Sequence, residues 1–188
     1  MAGDPRHPAT DLGGFVRELG AFVLFDDDDA AAIRTSAPLV LKHEAVLTAS
    51  VYEHFLQHAG AARFFLRPDG SPDLERLERR RHSLARWLTD TARASLDPVG
   101  LYGLLGIGIA HSHRAHGPGG AIPPELMVGA MSLVQTNLAR ILAQELGDAA
   151  AALAASVAWN KLLLLHLSVL LHGYFVPWRE ADRRPAGC

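Results

Sequence analysis

The stretch from Ala149 to Phe175, AAAALAASVAWNKLLLLHLSVLLHGYF, constrains the fold more than any other part of the chain. It is far too long for a strand and too continuously apolar for a solvated helix. Two fates remain, a bilayer span or a core helix. Asn160, Lys161, His166 and His172 interrupt it too often for a hydrocarbon environment. A long buried helix is therefore expected, with the other elements wrapped around it. At about 100° per residue, Trp159, Leu162, His166, Val169 and Gly173 fall on one line of that helix.

Nowhere do β-branched or aromatic residues alternate with polar ones for more than a few positions, so the chain reads as all-α. A short helix is predicted from Asp11 to Phe25. The acidic run Asp26 to Asp29 closes it and is also suited to cap a helix over Ala30 to Arg34. A longer helix follows from Ala37 to about His58, with Leu47, Thr48, Val51, Tyr52 and Phe55 on a broad inner stripe. From Leu74 to about Ala92, the residues Leu74, Leu77, Leu84 and Leu88 point inward with Trp87 beside them, while His82 points the opposite way. Pro98 to about Arg114 carries Leu101, Leu104, Ile107, Gly108 and His111 on one side. After a Gly/Pro-rich break, Pro123 and Pro124 start a helix whose inner face is Met127, Ala130, Val134, Leu138 and Ile141, ended by Gly147.

With 188 residues, 49% of them hydrophobic, the chain has material for one well-packed domain. The expected division is an extension with a short helix over residues 1–36, the main domain over 37–176, and a tail over 177–188. A net charge of −2 gives no overall attraction to nucleic acid or to an anionic membrane, and neither is expected as a partner. Arg76, Arg79, Arg80 and Arg81 cluster beside Glu75 and Glu78 and read as a solvated helix face with local ion pairs. The single cysteine, Cys188, permits no internal disulfide, and the N-terminus lacks the basic-then-apolar order of a secretory signal. A cytoplasmic location is expected.

The segment IGIAHSHRAHGPGGAIPPEL places His111, His113 and His116 close together. As a metal motif, H-x-H-x-x-H resembles spacings used by zinc hydrolases. A helix turns about 200° between His111 and His113, however, so both reach one ion only if the segment is extended. The nearest carboxylate, Glu125, lies several residues away, and a zinc or nickel site is the weakest reading. His113 and His116 read as solvated loop histidines. His111 is different, because it lies one turn beyond Ile107 and Gly108 on the inner face. Gly108 would leave the backbone bare for a flat ligand. A lone inward imidazole opposite a wall of Leu, Phe, Trp and Tyr is what a five-coordinate haem iron requires.

Four segments in order carry a family resemblance: LVLKHEAVLTASVYEHFLQHAGAARFF, LARWLTDTARASLDPVGL with IGIAH, PPELMVGAMSLVQTNLARIL, and AWNKLLLLHLSVLLHGY. Together, over about Ala37 to Phe175, they resemble the sensor globins, the protoglobins and globin domains of globin-coupled sensors, here in a stand-alone form. The resemblance implies a globin-like helical fold with an N-terminal extra helix, and a haem b cofactor. It makes His111 the proximal iron ligand; an alignment with fewer inserted residues would place His116 there instead. Tyr52 matches the distal tyrosine that hydrogen-bonds a bound gas. Phe55, Phe64 and Phe65 would shape the pocket near the corner after their helix, and Ser83, Leu84 and Trp87 would come from the distal helix. Leu104, Ile107, Gly108, Met127 and Val134 would complete the cofactor's surroundings. The segment SHRAHGPGGAI is longer and more polar than the corner that usually follows the proximal histidine.

The expected function is reversible binding of a diatomic gas, O2 and also CO or NO, as a sensor or carrier acting through a separate signalling protein. The resemblance also implies a homodimer through the last two helices. A haem enzyme, such as a nitric oxide dioxygenase, is the alternative; it would need an external reductase, since GLLGIG lacks the setting and spacing of a dinucleotide site. A haem-free globin-fold interaction module is a third reading. A second histidine on the iron stays open at this stage, with His82 facing the wrong way for it.

Overall fold

Five helices of this protein begin at an aspartate whose carboxylate accepts a backbone N–H of the first turn, which is why they start where they do. The computed structural model describes residues 11–113 and 119–176, and among them eight helices. Asp11 caps α1 (Leu12–Phe22), and Asp26 with Asp29 forms a reciprocal capping box on α2 (Asp27–Leu41). There follow α3 (Glu44–Gln57) and the single turn α4 (Ala59–Ala62). Asp73 caps α5 (Leu74–Thr91), and Asp97 caps α6 (Pro98–Ser112). Pro124 opens α7 (Pro124–Glu145), and Asp148 caps α8 (Ala149–Phe175).

The helix expected from Ala37 to His58 is two helices. The acidic run starts α2 three residues before Ala30, α2 runs on to Leu41, and the chain breaks at Lys42 and His43. Both residues at the break bond to the Glu145 carboxylate at the end of α7, Lys42 Nζ at 3.1 Å and His43 through Nε2. A tertiary contact with a residue about a hundred positions away thus holds the corner.

The last helix is the axis of the fold, as its composition requires. Trp159, Leu162, His166, Val169 and Gly173 are all buried, and α8 packs chiefly against α6, α7 and α2. By length and composition α7 and α8 could each cross a membrane, but 56% of the most apolar stretch of α8 is inside the protein, as in a core helix. Leu12, Val16, Ile33 and Val40 from α1 and α2 share one core with Leu88, Leu101, Leu104, Met131, Val134, Leu138 and Trp159. The Trp159 indole N–H donates to Ser36 Oγ at 3.0 Å, tying α8 to α2. On α5 the expected inner line holds at Leu77 and Leu88 but not at Leu74, which is 70% exposed because it opens the helix beyond the core.

Candidate haem site

His111 sits in the last turn of α6, half-buried, and its Nδ1 is 2.7 Å from the Ile107 carbonyl oxygen. A carbonyl only accepts, so Nδ1 is the donor and carries a ring proton. This is the arrangement by which a protein orients a metal-binding imidazole. His113 bonds differently, through Nδ1 to Ser112 Oγ at 2.7 Å and to the Ile109 carbonyl at 3.2 Å. His116 lies outside the described residues. Among those residues no three metal-binding side chains gather into a cluster. His82 is on the outer side of α5, with Nδ1 bonded to the Glu78 carbonyl at 2.9 Å.

The α6 helix has two edges rather than one inner side. Leu101, Leu104, Leu105 and Gly108 are buried, whereas Ile107 is 42% exposed beside His111 at the margin of the core. Gly108 also has a different role from the one expected. A Cβ built there would lie 2.0 Å from the Leu170 carbonyl oxygen and 3.2 Å from Gly173 Cα. Its bare backbone admits helix α8, not a flat ligand, because α6 and α8 cross at a pair of glycines.

Tyr52, Phe55 and Phe65 form one aromatic cluster. The Tyr52 ring meets both phenylalanines edge-on at 5.5 Å, and the two phenylalanines stack at 6.1 Å. The Tyr52 hydroxyl donates to the Arg80 carbonyl on α5 at 3.1 Å. Burial pushes its pKa up to about 12, partly opposed by the nearby Arg80 and Arg81 charges, so the phenol is a proton donor throughout the physiological range. Phe64 is buried apart from this cluster, under Gly119, whose positive φ and absent side chain let the loop close over the ring. That loop returns to α6 where the Ile122 N–H donates to the His111 carbonyl at 3.0 Å.

From the α5 side, Leu84 and Trp87 pack against the core, while Ser83 is exposed and bonds back to the Arg79 carbonyl. Val134 and Leu104 belong to the core, with Met127 packed against it. Trp87 stands edge-on to His166 at 6.1 Å. Among the described residues Trp87 Nε1 and His166 Nδ1 are both buried without a hydrogen-bond partner, and burial lowers the His166 pKa to about 4. The single-sequence pattern marked His166 as inward but gave no sign that it would stay unpaired. Taken by residue type, the imidazole of His111 and the phenylalanine, tyrosine, leucine and tryptophan side chains of α3, α5 and the corner between them are chemically suited to a b-type haem.

An all-α chain with this helix order and a histidine near the end of the sixth helix is a globin-like protein. The family model for protoglobin matches residues 15–177, and the chain belongs to the protoglobin family. The fold is similar to that of the globin domain of the Geobacter sulfurreducens globin-coupled sensor, with TM-score 0.70 and 21% identity, over 84% of this chain and 96% of that one. No curated protein matches the chain.

Proposed function

We propose that this protein binds haem b through His111 and reversibly takes a diatomic gas, acting as a gas sensor or carrier in the cytoplasm through a separate partner. The observation that carries the reading is the His111 imidazole, whose Nδ1 donates to the Ile107 carbonyl at 2.7 Å, so that Nε2 is the atom that would bind iron. Membership of the protoglobin family supports it. Haem, when bound, supplies an iron that takes O2, CO or NO. Tyr52, Phe55, Phe65, Leu84 and Trp87 would exclude water from that iron, and Leu104, Ile107, Met127 and Val134 would add apolar surface around the cofactor.

Tyr52 has a single proton, and the Arg80 carbonyl already receives it. Its contribution to gas binding is therefore the difference between two hydrogen bonds, not the worth of one. Assembly as a homodimer through α7 and α8 is part of the same reading. Leu153, Val157 and Leu164 leave an exposed apolar line on α8, with Val128 on α7.

The test is haem titration of the apo protein, following the Soret band, with His111→Gly and His116→Gly alongside wild type. The expected result is a haem spectrum in wild type and His116→Gly, lost or altered in His111→Gly and restored by added imidazole. A wild-type protein that refuses haem overturns the reading, and loss confined to His116→Gly moves the ligand to that residue.

A further inference from the structure

Arg76, Arg79, Arg80 and Ser83 line a cleft of about 260 Å³ on α5, a volume below the ~300–1,000 Å³ of pockets for drug-sized ligands. Local pairing accounts for part of this charge. Arg76 is only 18% exposed and is held by Asp73 at 3.2 Å and by the Phe64 carbonyl at 3.4 Å. Arg79 pairs with Glu75, and just outside the cleft Arg81 and His82 face Glu78. Arg80 is different. Among the described residues its guanidinium has no hydrogen-bond or ion-pair partner, although the side chain is half-buried. Asp73 and Glu75 are the nearby carboxylates, and Arg67 adds a further positive charge that acts on Asp73. The cleft thus carries an excess of guanidinium, with one member pinned and one unpaired.

We infer that this cleft is an oxyanion subsite, in which Arg80 supplies the unpaired guanidinium and Arg76 a fixed one. Guanidinium forks match carboxylate and phosphate oxygens two at a time, and the chemistry is the same for either anion. Two sources present it here: the carboxylates of a haem side chain, or a free phosphate. The cleft adjoins the candidate haem site, because the Arg80 carbonyl receives the Tyr52 hydroxyl and the Arg80 charge acts on that phenol. An anion on Arg80 would therefore be felt at Tyr52. The carboxylate source rests on the haem reading; the free-phosphate source does not.

The experiment is calorimetric titration of inorganic phosphate and pyrophosphate into apo protein at low ionic strength, repeated on protein loaded with haemin, together with haemin affinity. Variants are Arg80→Gln, Arg80→Lys, and Arg93→Gln as a charge control outside the cleft. Arg80→Gln should weaken the anion about tenfold, the worth of one charge-assisted hydrogen bond, with Arg80→Lys intermediate and Arg93→Gln unchanged. Phosphate binding to apo protein that haemin abolishes assigns the cleft to the haem carboxylates. Binding that survives haemin assigns it to a free anion. Absence of phosphate binding, with haemin affinity equal in wild type and Arg80→Gln, overturns the proposal, as does equal weakening in Arg80→Gln and Arg93→Gln. Circular dichroism of each variant separates lost binding from lost folding. Failure of haemin to bind at all would sink the haem reading while leaving the phosphate arm on apo protein to judge the cleft.

Discussion

Replacing Gly108 by alanine should destabilise the protein, while the same change two residues earlier in α6 should stabilise it. The added methyl at residue 108 would lie 2.0 Å from the Leu170 carbonyl oxygen and 2.9 Å from its carbon. A carbon–oxygen contact needs about 3.3 Å, so the helices must part by roughly 1 Å. Neither neighbour is a flexible side-chain end; both are backbone atoms of α8. Gly173 faces the same constraint from the other side, since a Cβ built there would lie 2.4 Å from the Ile109 nitrogen and 2.5 Å from the Gly108 carbonyl carbon. Overpacking of this kind costs about 3 kcal/mol, of which helix propensity returns about 1 kcal/mol. The net loss of about 2 kcal/mol corresponds to a fall in Tm of about 4–8 °C for a domain of this size. A Cβ at Gly106 meets nothing within 4 Å, so Gly106→Ala should gain about 0.5–1 kcal/mol. Urea and thermal unfolding of both variants measure the contrast. Two shifts of the same sign would refute the close crossing of α6 and α8 at Gly108.

Three further outcomes follow from the same geometry. His166 is held neutral by burial, with its pKa near 4 against 6.5 unfolded, so the unfolded chain binds the extra proton between those values. Stability should rise by about 3 kcal/mol from pH 4 to pH 6.5 on this account and be flat above, and His166→Phe should remove that part of the slope in unfolding measured across the window. An unchanged slope would show that His166 finds a proton partner when folded. Tyr52→Phe should cost about 1 kcal/mol by deleting the bond to the Arg80 carbonyl, read in urea unfolding. In haem-loaded protein, O2 dissociation should accelerate in that variant only if the phenol turns its proton from Arg80 to the gas. Leu24 ends α1 at φ 56, where the Phe25 N–H reaches the Gly20 carbonyl and the Leu24 N–H the Ala21 carbonyl. That left-handed position favours glycine, and Leu24→Gly should raise stability by about 0.5–1 kcal/mol; a loss would mean that the exposed leucine contributes packing that outweighs its strain.

The sequence determined the helices and their order through signals that act over a few residues. Aspartate caps, Pro98 and Pro124 at helix starts, and Gly147 at a helix end depend only on nearby backbone. The apolar length of Ala149 to Phe175 required a central helix, and the order of four segments pointed to the globin relationship that the family match shows. Periodicity likewise gave the direction in which His166, Val134 and His82 project, because direction from a helix axis is a local property.

What lies in that direction is not local, and there the tertiary structure decided. Gly108 projects inward as its spacing requires, but what it meets is the backbone of α8 rather than space for a ligand. Tyr52 is buried as its stripe requires, yet the partner of its hydroxyl is a carbonyl on another helix, 28 residues away. The break at Lys42 and His43 sits inside a stretch whose own residues read as continuous helix, and the Glu145 carboxylate holds both side chains from the far end of α7. Nothing in the run Arg79, Arg80, Arg81 marks the middle arginine as the unpaired one. Glutamates one turn away take the other two, and only the packing of α3 against α5 leaves Arg80 beside the tyrosine. Short-range hydrogen bonding and periodicity fix the path of each helix, whereas the partner of a side chain depends on chain closure over tens of residues, which a one-dimensional pattern does not carry.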